Sequence, residues 1–285
     1  MDLRKEDDRI RIIFMSDIHY CKEWYGITPE MKRDILWADL EREYRNDPYQ
    51  ALLLLGDYSL DHWQWGTQGS YLTQGISDTK LFVEQCLDGL VPSGVDVRMI
   101  AGNHEQYSES LWQSLTGFSR KDHIVCGPIL FILLDTFGGK LDPVEHSDGT
   151  YIGVDMGYIK EIMSRYPDKK VVLCAHWFDI EKESEEFRSF IAQENRVVCL
   201  ICGHNHLSEI VFTGEEYGNK PILHTGHYSF SGDKNPINCL NGYRDFVISK
   251  DGIASKYIVP SNTYTMGSVK FTTEYAEQDE IFIKF

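Results

Sequence analysis

The chain has 285 residues, and its 42% hydrophobic and 13% aromatic content is ample for a sizeable core. Its formal charge of −16 disfavours nucleic acid as a partner, because proteins hold phosphate backbones mostly through lysine and arginine. No apolar run reaches the roughly 18 residues of a membrane span, and the charged start lacks the apolar region of a signal peptide. We therefore expect a cytoplasmic protein with no membrane span, in which the seven cysteines stay reduced.

Up to Ser208, β-type runs alternate with helical patterns. Strands are predicted over residues 10–15, 51–55, 95–101, 129–134, 171–175 and 197–202. Helices are predicted over residues 29–44, after a cap at Ser77 and Asp78, and over residues 108–115, 152–165 and 183–194. Pro29 suits a first helical turn, where its missing N–H costs nothing. The alternation predicts the α/β class.

Beyond Ser208 the pattern changes to short strands separated by turns, which we expect to be largely antiparallel. They are predicted over residues 210–213, 221–224, 243–249 and 254–259. No composition break or internal repeat divides the chain, so we expect a single domain over residues 1–285, with a loose N-terminus (1–9) and a C-terminal extension (261–285). The last five residues are predicted to form an edge strand, and a homodimer contact there is the alternative.

Five short polar signatures follow β-type runs along the chain. They are Asp17-Ile18-His19, Gly56-Asp57, Gly102-Asn103-His104-Glu105, His176 and Gly203-His204-Asn205-His206. Ligands at the ends of several strands converge in space even when they are far apart in sequence. Carboxylate, amide and imidazole donors in this number suffice for two divalent cations. Each signature alone is weak or moderately specific, but all five in this order predict a binuclear metal site.

The two-residue period of a β-strand predicts which ligand side chains lie on the same face. If the strand geometry persists to its end, Asp17 and His19 share one face and can hold one ion together. The same holds for His204 and His206, provided that they have not entered a turn. Three signatures begin with a glycine, which lets backbone and metal come close: Gly56, Gly102 and Gly203. Glu105 is expected to hydrogen-bond nearby backbone or to orient its loop.

These signatures resemble the defining pattern of the calcineurin-like metallophosphoesterase family: DxH, GD, GNH(E/D), H and GHxH. The resemblance runs from about Ile12 to Pro260, and within the family the sequence is most similar to the compact branch with the class III cyclic-nucleotide phosphodiesterases. It implies an α/β sandwich of two packed mixed β-sheets flanked by helices. It also implies two ligand sets: Asp17, His19, Asp57 and His206 for one ion, and Asp57, Asn103, His176 and His204 for the other.

The resemblance further implies that His104 is the catalytic histidine, placed beside the substrate and not a ligand. The expected function is hydrolysis of a small-molecule phosphodiester, with in-line attack on phosphorus by a hydroxide that bridges the two ions. His104 would stabilise the developing charge or protonate the leaving oxygen. Nitrogen and oxygen ligands without thiolate fit Mn, Fe, Zn or Co, and affinity order alone does not choose among these metals. Of the four we expect Mn or Fe.

Several alternatives stay open at this point. A phosphomonoesterase or pyrophosphohydrolase would use the same ligands, and a non-catalytic binding scaffold is disfavoured because no ligand is missing. The aromatic loop 58–71 and Trp177 can stack a nucleobase or simply pack on neighbouring helices, and packing is slightly favoured for the loop. His224 and His227 are either rim residues of the metal site or ordinary strand histidines. The CxxC pair at Cys199 and Cys202 lies within an apolar run, which favours core packing over redox or zinc chemistry.

Overall fold

Two six-stranded mixed β-sheets pack against each other, and helices cover their outer faces. The computed structural model of the chain describes residues 9–21, 28–63, 69–140, 149–229, 241–260, 263–266, 269–272 and 280–285. Both sheets contribute to the core between them, where the rings of Phe14 and Phe131 lie 5.7 Å apart. The predicted sandwich of two mixed sheets flanked by helices is confirmed.

The strands are short and mostly buried. In chain order they are β1 (Ile10–Met15), β2 (Ala51–Leu55), β3 (Asp96–Ile100), β4 (Asp122–Cys126), β5 (Ile129–Leu134), β6 (Lys170–Ala175), β7 (Val197–Cys202), β8 (Ile210–Phe212), β9 (Pro221–His224), β10 (Tyr243–Ile248), β11 (Gly252–Ile258), β12 (Thr263–Met266), β13 (Val269–Thr272) and β14 (Glu280–Lys284). The first sheet has the order β14-β11-β10-β1-β2-β3, and the second has the order β4-β5-β6-β7-β9-β8. Strands β12 and β13 form a separate antiparallel pair.

Each sheet contains one run of neighbouring parallel strands. Strands β1, β2 and β3 run parallel in the first sheet, as do β5, β6, β7 and β9 in the second. Because the carboxyl ends of parallel strands lie at the same edge of a sheet, the loops that follow them are neighbours. The remaining strands of both sheets are antiparallel to their partners.

The helices lie between the strands of the parallel part. They are α1 (Pro29–Asn46), α2 (Ser70–Gln74), α3 (Asp78–Phe82), α4 (Asp88–Leu90), α5 (Glu109–Thr116), α6 (Met156–Arg165) and α7 (Glu185–Gln193). A π-helical turn at Val83–Leu87 joins α3 to α4. Helix α1 begins with Thr28, whose side chain accepts from the Met31 N–H. Its buried residues follow the helical period and include a lysine: Lys32, Leu36, Asp39 and Leu40.

The structure differs from the sequence prediction in several places, including the short helix α2, which was not predicted. Strand β4 and the hairpin of β12 and β13 were not predicted, because their short runs mix polar and apolar residues. Strand β9 runs parallel to β7, although the later strands were expected to be largely antiparallel. The two cysteines of the CxxC pair lie in β7 and are buried, as the predicted core packing requires. Cys199 faces the core between the sheets, and Cys202 faces the helices.

The C-terminal strand completes the first sheet. Strand β14 pairs with β11 at the sheet edge, which confirms the predicted edge strand. The alternative homodimer contact and the single-domain organisation stay predictions. The predicted loose N-terminus lies, apart from Arg9, outside the described residues. Among the helices that the structure describes, none combines the length and the apolar composition needed to cross a membrane.

Candidate metal centre

The structure brings the five signatures together at one end of the sandwich. Asp17 and His19 follow β1, Asp57 follows β2, and Asn103 and His104 follow β3 of the first sheet. In the second sheet His176 follows β6, and His204 and His206 follow β7. Hydrogen bonds join the loops of the two sheets, since the His204 N–H donates to Asp17 Oδ2 at 2.9 Å. The site therefore lies at the junction of the two sheets.

The potential ligand atoms form three overlapping groups, within each of which they lie no more than 4.8 Å apart. The groups are Asp17, His19 and His206; His19, Asp57 and His104; and Asp57, His176 and His204. Asn103 joins the third group, because its Oδ1 lies 2.9 Å from both His176 Nε2 and His204 Nδ1. All seven predicted ligands thus lie in one cluster, and by distance alone His104 belongs to it as well.

The backbone of this cluster is not that of continuing strands. Six described residues other than glycine have positive φ, and five of them are predicted ligands: Asp17, His19, Asp57, His204 and His206. The condition that strand geometry persists to Asp17 and His19 is not met, because β1 ends at Met15, yet the two side chains lie in one group of potential ligands. Left-handed conformations cost about 1–3 kcal/mol each and concentrate at functional sites. The strained loops, and not the strand period, turn these side chains toward one another.

His176 lies at a position where the cluster requires a positive charge. Its Nδ1 donates to the carbonyl oxygen of Leu55 at 2.7 Å, so in the neutral ring Nε2 carries a lone pair. That nitrogen lies 3.2 Å from Asp57 Oδ2 and 2.9 Å from Asn103 Oδ1, and both oxygens are acceptors. These three atoms offer lone pairs to the same space, so a proton or a cation must lie between them to offset their mutual repulsion.

A second set of buried atoms in the cluster has no hydrogen-bond partner. They are Asp17 Oδ1 and both ring nitrogens of His19, although both residues are buried. Asp17 Oδ1 lies 3.3 Å from His206 Nε2. Because a buried polar atom without a partner is costly, these atoms are expected to bind something. Carboxylate oxygen and imidazole nitrogen suit a divalent transition metal, so the residues fit the implied cofactor.

Neighbouring charges and burial set the protonation of the cluster. Burial alone would raise the pKa of Asp57, but His104 and His176 hold that pKa well below its ordinary value. Burial opposes the charged form of His176, yet the Asp57 carboxylate raises the pKa of His176 to about 10. Burial lowers the pKa of His19 to about 3 and that of His204 to about 4. Near pH 7, His176 therefore carries the proton that a cation would displace.

Glu105 ties together the loops after β2 and β3. Its buried carboxylate accepts from the backbone N–H groups of Asp57 at 2.9 Å, Ser59 at 3.1 Å and Gly102 at 2.8 Å. This agrees with the expectation that Glu105 hydrogen-bonds nearby backbone. Burial, with the nearby Asp57 charge, raises the pKa of Glu105 to about 7. Glu105 thus supports the position of Asp57 without facing the ligand atoms.

Two glycines of the signatures are required by packing against carboxylates. A Cβ atom at Gly102 would collide with the carboxylate and backbone of Asp57. A Cβ atom at Gly203 would collide with the side chains of Ser16 and Asp17. The expected close approach therefore occurs between ligand loops, where the small residue lets one loop lie directly on the next.

The aromatic residues near the centre divide into packing and rim residues. Tyr58 is buried and stacks on Phe82 at 5.3 Å, as the packing interpretation predicted. Trp63 is half-buried, and its ring lies 5.7 Å from that of His104. Trp177 is also half-buried and stacks on His204 at 4.4 Å. The middle of the aromatic loop, residues 64–68, lies outside the described residues.

The two later histidines have different surroundings. His227 is fully buried, and its ring stacks on that of His206 at 5.1 Å. His224 is buried beside Cys202, with 3.9 Å between Nδ1 and Sγ. Only His227 therefore supports a predicted ligand through a ring contact that the structure records.

Sequence reasoning missed three buried residues that hold the ligand loops. Arg120 donates to the carbonyl oxygens of Glu105 and Tyr107. Lys32 donates to the carbonyl oxygen of His19 in the loop after β1 and to that of Ser229 in the loop after β9. A signal existed for Lys32 alone, because it lies one helical turn before the buried Leu36 of α1. Arg120 and Ser229 lie in loops, where no periodic pattern marks buried positions.

Comparison with known proteins extends these observations. None of the curated proteins searched matches the sequence. Among solved structures, PhoD is 12% identical with a TM-score of 0.60, over 93% of this chain and 68% of PhoD. GAP50, described as the anchor in the inner membrane complex of Plasmodium, is 12% identical with a TM-score of 0.55, over 98% of this chain and 90% of GAP50. At these identities the likeness shows the fold alone.

The sequence profile of one family covers most of the chain. Residues 10–208 match the family described as calcineurin-like phosphoesterase, and the match includes all five signatures. It ends at Ser208, short of the predicted limit at Pro260. The chain therefore belongs to the calcineurin-like phosphoesterase family.

Proposed function

We propose that this protein is a metal-dependent hydrolase of a small-molecule phosphodiester. The carrying observation is the convergence of His176 Nε2 with Asn103 Oδ1 at 2.9 Å and with Asp57 Oδ2 at 3.2 Å, an arrangement that either a proton on His176 or a cation in its place satisfies. Such a set suits a cation better than any neutral occupant. Within a family of phosphoesterases, it supports a metal-dependent phosphoryl chemistry.

The residues divide into two ligand sets that share Asp57. One ion would be held by Asp17, His19, Asp57 and His206, and the other by Asp57, Asn103, His176 and His204. When bound, two divalent ions lower the pKa of water toward neutrality and offset the negative charge of a phosphoryl group. We propose Mn or Fe, because nitrogen and oxygen ligands without thiolate suit both.

His104 is the proposed catalytic residue. Its backbone N–H donates to Asp57 Oδ1 at 3.1 Å, and its Nε2 lies 3.4 Å from Asp57 Oδ2. The ring is held at the edge of the ligand cluster, where it can donate a proton to a departing oxygen. Trp63 beside His104 limits the positions that the ring can adopt.

The rim of the site supports a diester as substrate. Trp63 next to His104 and Trp177 on His204 are both half-buried, so aromatic surface lies beside two different parts of the cluster. A diester carries an organic group on each side of phosphorus, and two such surfaces can contact both groups. A cyclic nucleotide is one diester of this kind. A cytoplasmic location is part of the same proposal.

The test compares hydrolysis of bis(p-nitrophenyl) phosphate and p-nitrophenyl phosphate with added Mn²⁺. We expect preference for the diester, and we expect Asp57→Asn to abolish activity and weaken Mn²⁺ binding. Asp245→Asn is the matched control, since Asp245 is a buried aspartate that pairs with Arg11 in β1 away from the site. Preference for the monoester would replace the proposal with a phosphomonoesterase. Full activity in Asp57→Asn would refute the metal site itself.

A further inference from the structure

Ser229 lies behind the metal centre and contacts two histidines at once. Its Oγ is 3.4 Å from His206 Nδ1 and 3.1 Å from His227 Nδ1. Its backbone N–H also donates to His227 Nδ1 at 3.2 Å. Both Ser229 and His227 are fully buried, so water does not compete for these hydrogen bonds. The serine therefore links a proposed metal ligand to a residue outside the ligand set.

One of these hydrogen bonds has a fixed donor. A backbone N–H can only donate, so His227 Nδ1 must be an acceptor and carries no proton. That ring nitrogen has a single lone pair, so the Ser229 hydroxyl remains available to His206 Nδ1 at 3.4 Å. If His206 Nε2 binds the ion, the ring proton lies on Nδ1, and Ser229 Oγ is the acceptor for it. In this tautomer His206 Nε2 is unprotonated and faces Asp17 Oδ1 at 3.3 Å.

Lys32 holds the same region from the helix side. Its ammonium donates to the carbonyl oxygens of Ile18, of His19 at 3.1 Å and of Ser229 at 3.1 Å. Lys32 is 3% exposed, and the hydrogen bonds that its ammonium makes to the described residues all go to backbone carbonyl oxygens. A buried charge is costly unless its donors are satisfied, and here three carbonyls satisfy all three. One side chain thus joins the loop after β1 to the segment that bears Ser229.

We propose that Lys32 and Ser229 are positioning residues for the ion bound by Asp17, His19 and His206, an inference that rests on the proposed metal site. Lys32 fixes the backbone of the loop after β1. Ser229 fixes the ring proton of His206 on Nδ1, so that Nε2 is free to bind. Hydrogen-bond partners that set the tautomer of a ligating histidine typically change metal affinity about 10- to 100-fold.

The first test measures Mn²⁺ binding by the electron paramagnetic resonance signal of the free ion. We expect two ions on the wild-type protein, and in Ser229→Ala we expect one of the two affinities to fall about 10- to 100-fold while the other is kept. Ser229→Thr retains the hydroxyl and should restore the affinity. Ser255→Ala is the matched control, because Ser255 is a buried serine that donates to the Asp245 carbonyl oxygen away from the site.

Lys32→Met tests the other half of the pair with a side chain of similar length. We expect the same single Mn²⁺ affinity to fall, because the loop after β1 loses its anchor. Lys169→Met is the matched control, since Lys169 donates to the Gly127 carbonyl oxygen at 2.7 Å in another part of the structure. An equal loss at both ions in Lys32→Met would contradict a role confined to one of them.

A spectroscopic test requires neither enzyme activity nor a bound metal. In the metal-free wild-type protein, ¹⁵N chemical shifts of the histidine rings should show His206 protonated on Nδ1, and Ser229→Ala should move the population toward Nε2. A wild-type His206 protonated on Nε2 would overturn the proposal, even if the variants failed to fold. Two wild-type Mn²⁺ sites with unchanged affinities in Ser229→Ala would overturn it as well. Absence of Mn²⁺ binding by the wild type would overturn the proposed function and this inference together.

Discussion

His176 Nε2 and Asp57 Oδ2 lie 3.2 Å apart, although the two residues follow strands of different sheets. The same histidine donates through Nδ1 to the Leu55 carbonyl oxygen of β2 at 2.7 Å. The metal centre is therefore built across the interface between the sheets. Ions held there would join the two halves of the sandwich, and this has consequences for stability as well as for chemistry.

We expect metal binding to stabilise the folded protein. At a free Mn²⁺ concentration of 100 times Kd, each ion adds about 2.7 kcal/mol to the free energy of unfolding, or roughly 5–10 °C in Tm. Calorimetry of chelator-treated and Mn²⁺-saturated protein measures this difference. Asp57→Asn should lose most of the shift, because Asp57 belongs to both ligand sets. An identical shift in that variant would exclude Asp57 as a ligand.

His104→Ala should separate the catalytic role from metal binding. Loss of a positioned general acid lowers kcat roughly 10²- to 10⁴-fold, while two Mn²⁺ ions should still bind. His123→Ala is the control, because His123 lies in β4, which is on the far edge of the second sheet. His104 Nε2 lies 3.4 Å from Asp57 Oδ2, close to the 3.2 Å that separates the proposed ligand His176 from the same oxygen. Loss of one Mn²⁺ ion in His104→Ala would therefore identify His104 as a ligand.

Gly203→Ala should damage the centre although no ligand is changed. The added Cβ atom would collide with Ser16 and with the carboxylate of Asp17, and such overpacking costs about 1–3 kcal/mol. We expect a lower Tm and weaker binding of the ion held by Asp17. Gly157→Ala serves for comparison, since Gly157 lies in α6, where alanine is the better helix former. Wild-type Mn²⁺ affinity in Gly203→Ala would contradict the close packing of these loops.

Asp78 is predicted to make stability depend on pH away from the metal centre. Burial and the nearby Asp61 raise the pKa of Asp78 to about 6. Between the ordinary carboxyl pKa and pH 6 the folded state retains a proton that the unfolded chain has lost, so stability falls as pH rises through this window. Asp78→Asn should therefore raise the free energy of unfolding at pH 8 but not at pH 4.

Chemical denaturation at the two pH values measures this effect. Asp88→Asn is the control for loss of one aspartate charge, because Asp88 is exposed at the start of α4. If Asp78→Asn were less stable than the wild type at pH 8, the ionised carboxylate would be stabilising and the assignment would be wrong.

Much of the fold was predictable because buried parallel strands are continuous apolar runs. Strands β1, β2, β5, β7 and β9 begin and end where the sequence predicts them. Strand β4 was missed because its run Asp122–Cys126 is only partly buried and mixes polar with apolar residues. Pairing is the least predictable feature, since the parallel contact of β9 with β7 depends on residues distant in sequence.

The sequence by itself determined which residues gather at the centre, because each signature directly follows an apolar run and such runs end at one edge of a sheet. Only the tertiary structure decided how those residues point. Left-handed backbone at Asp17, His19 and Asp57 replaces the strand geometry that the pattern suggested. The supporting contacts of Lys32 and Ser229 also appear only in the folded chain. Such contacts join residues almost 200 positions apart, and no local pattern in a sequence encodes them.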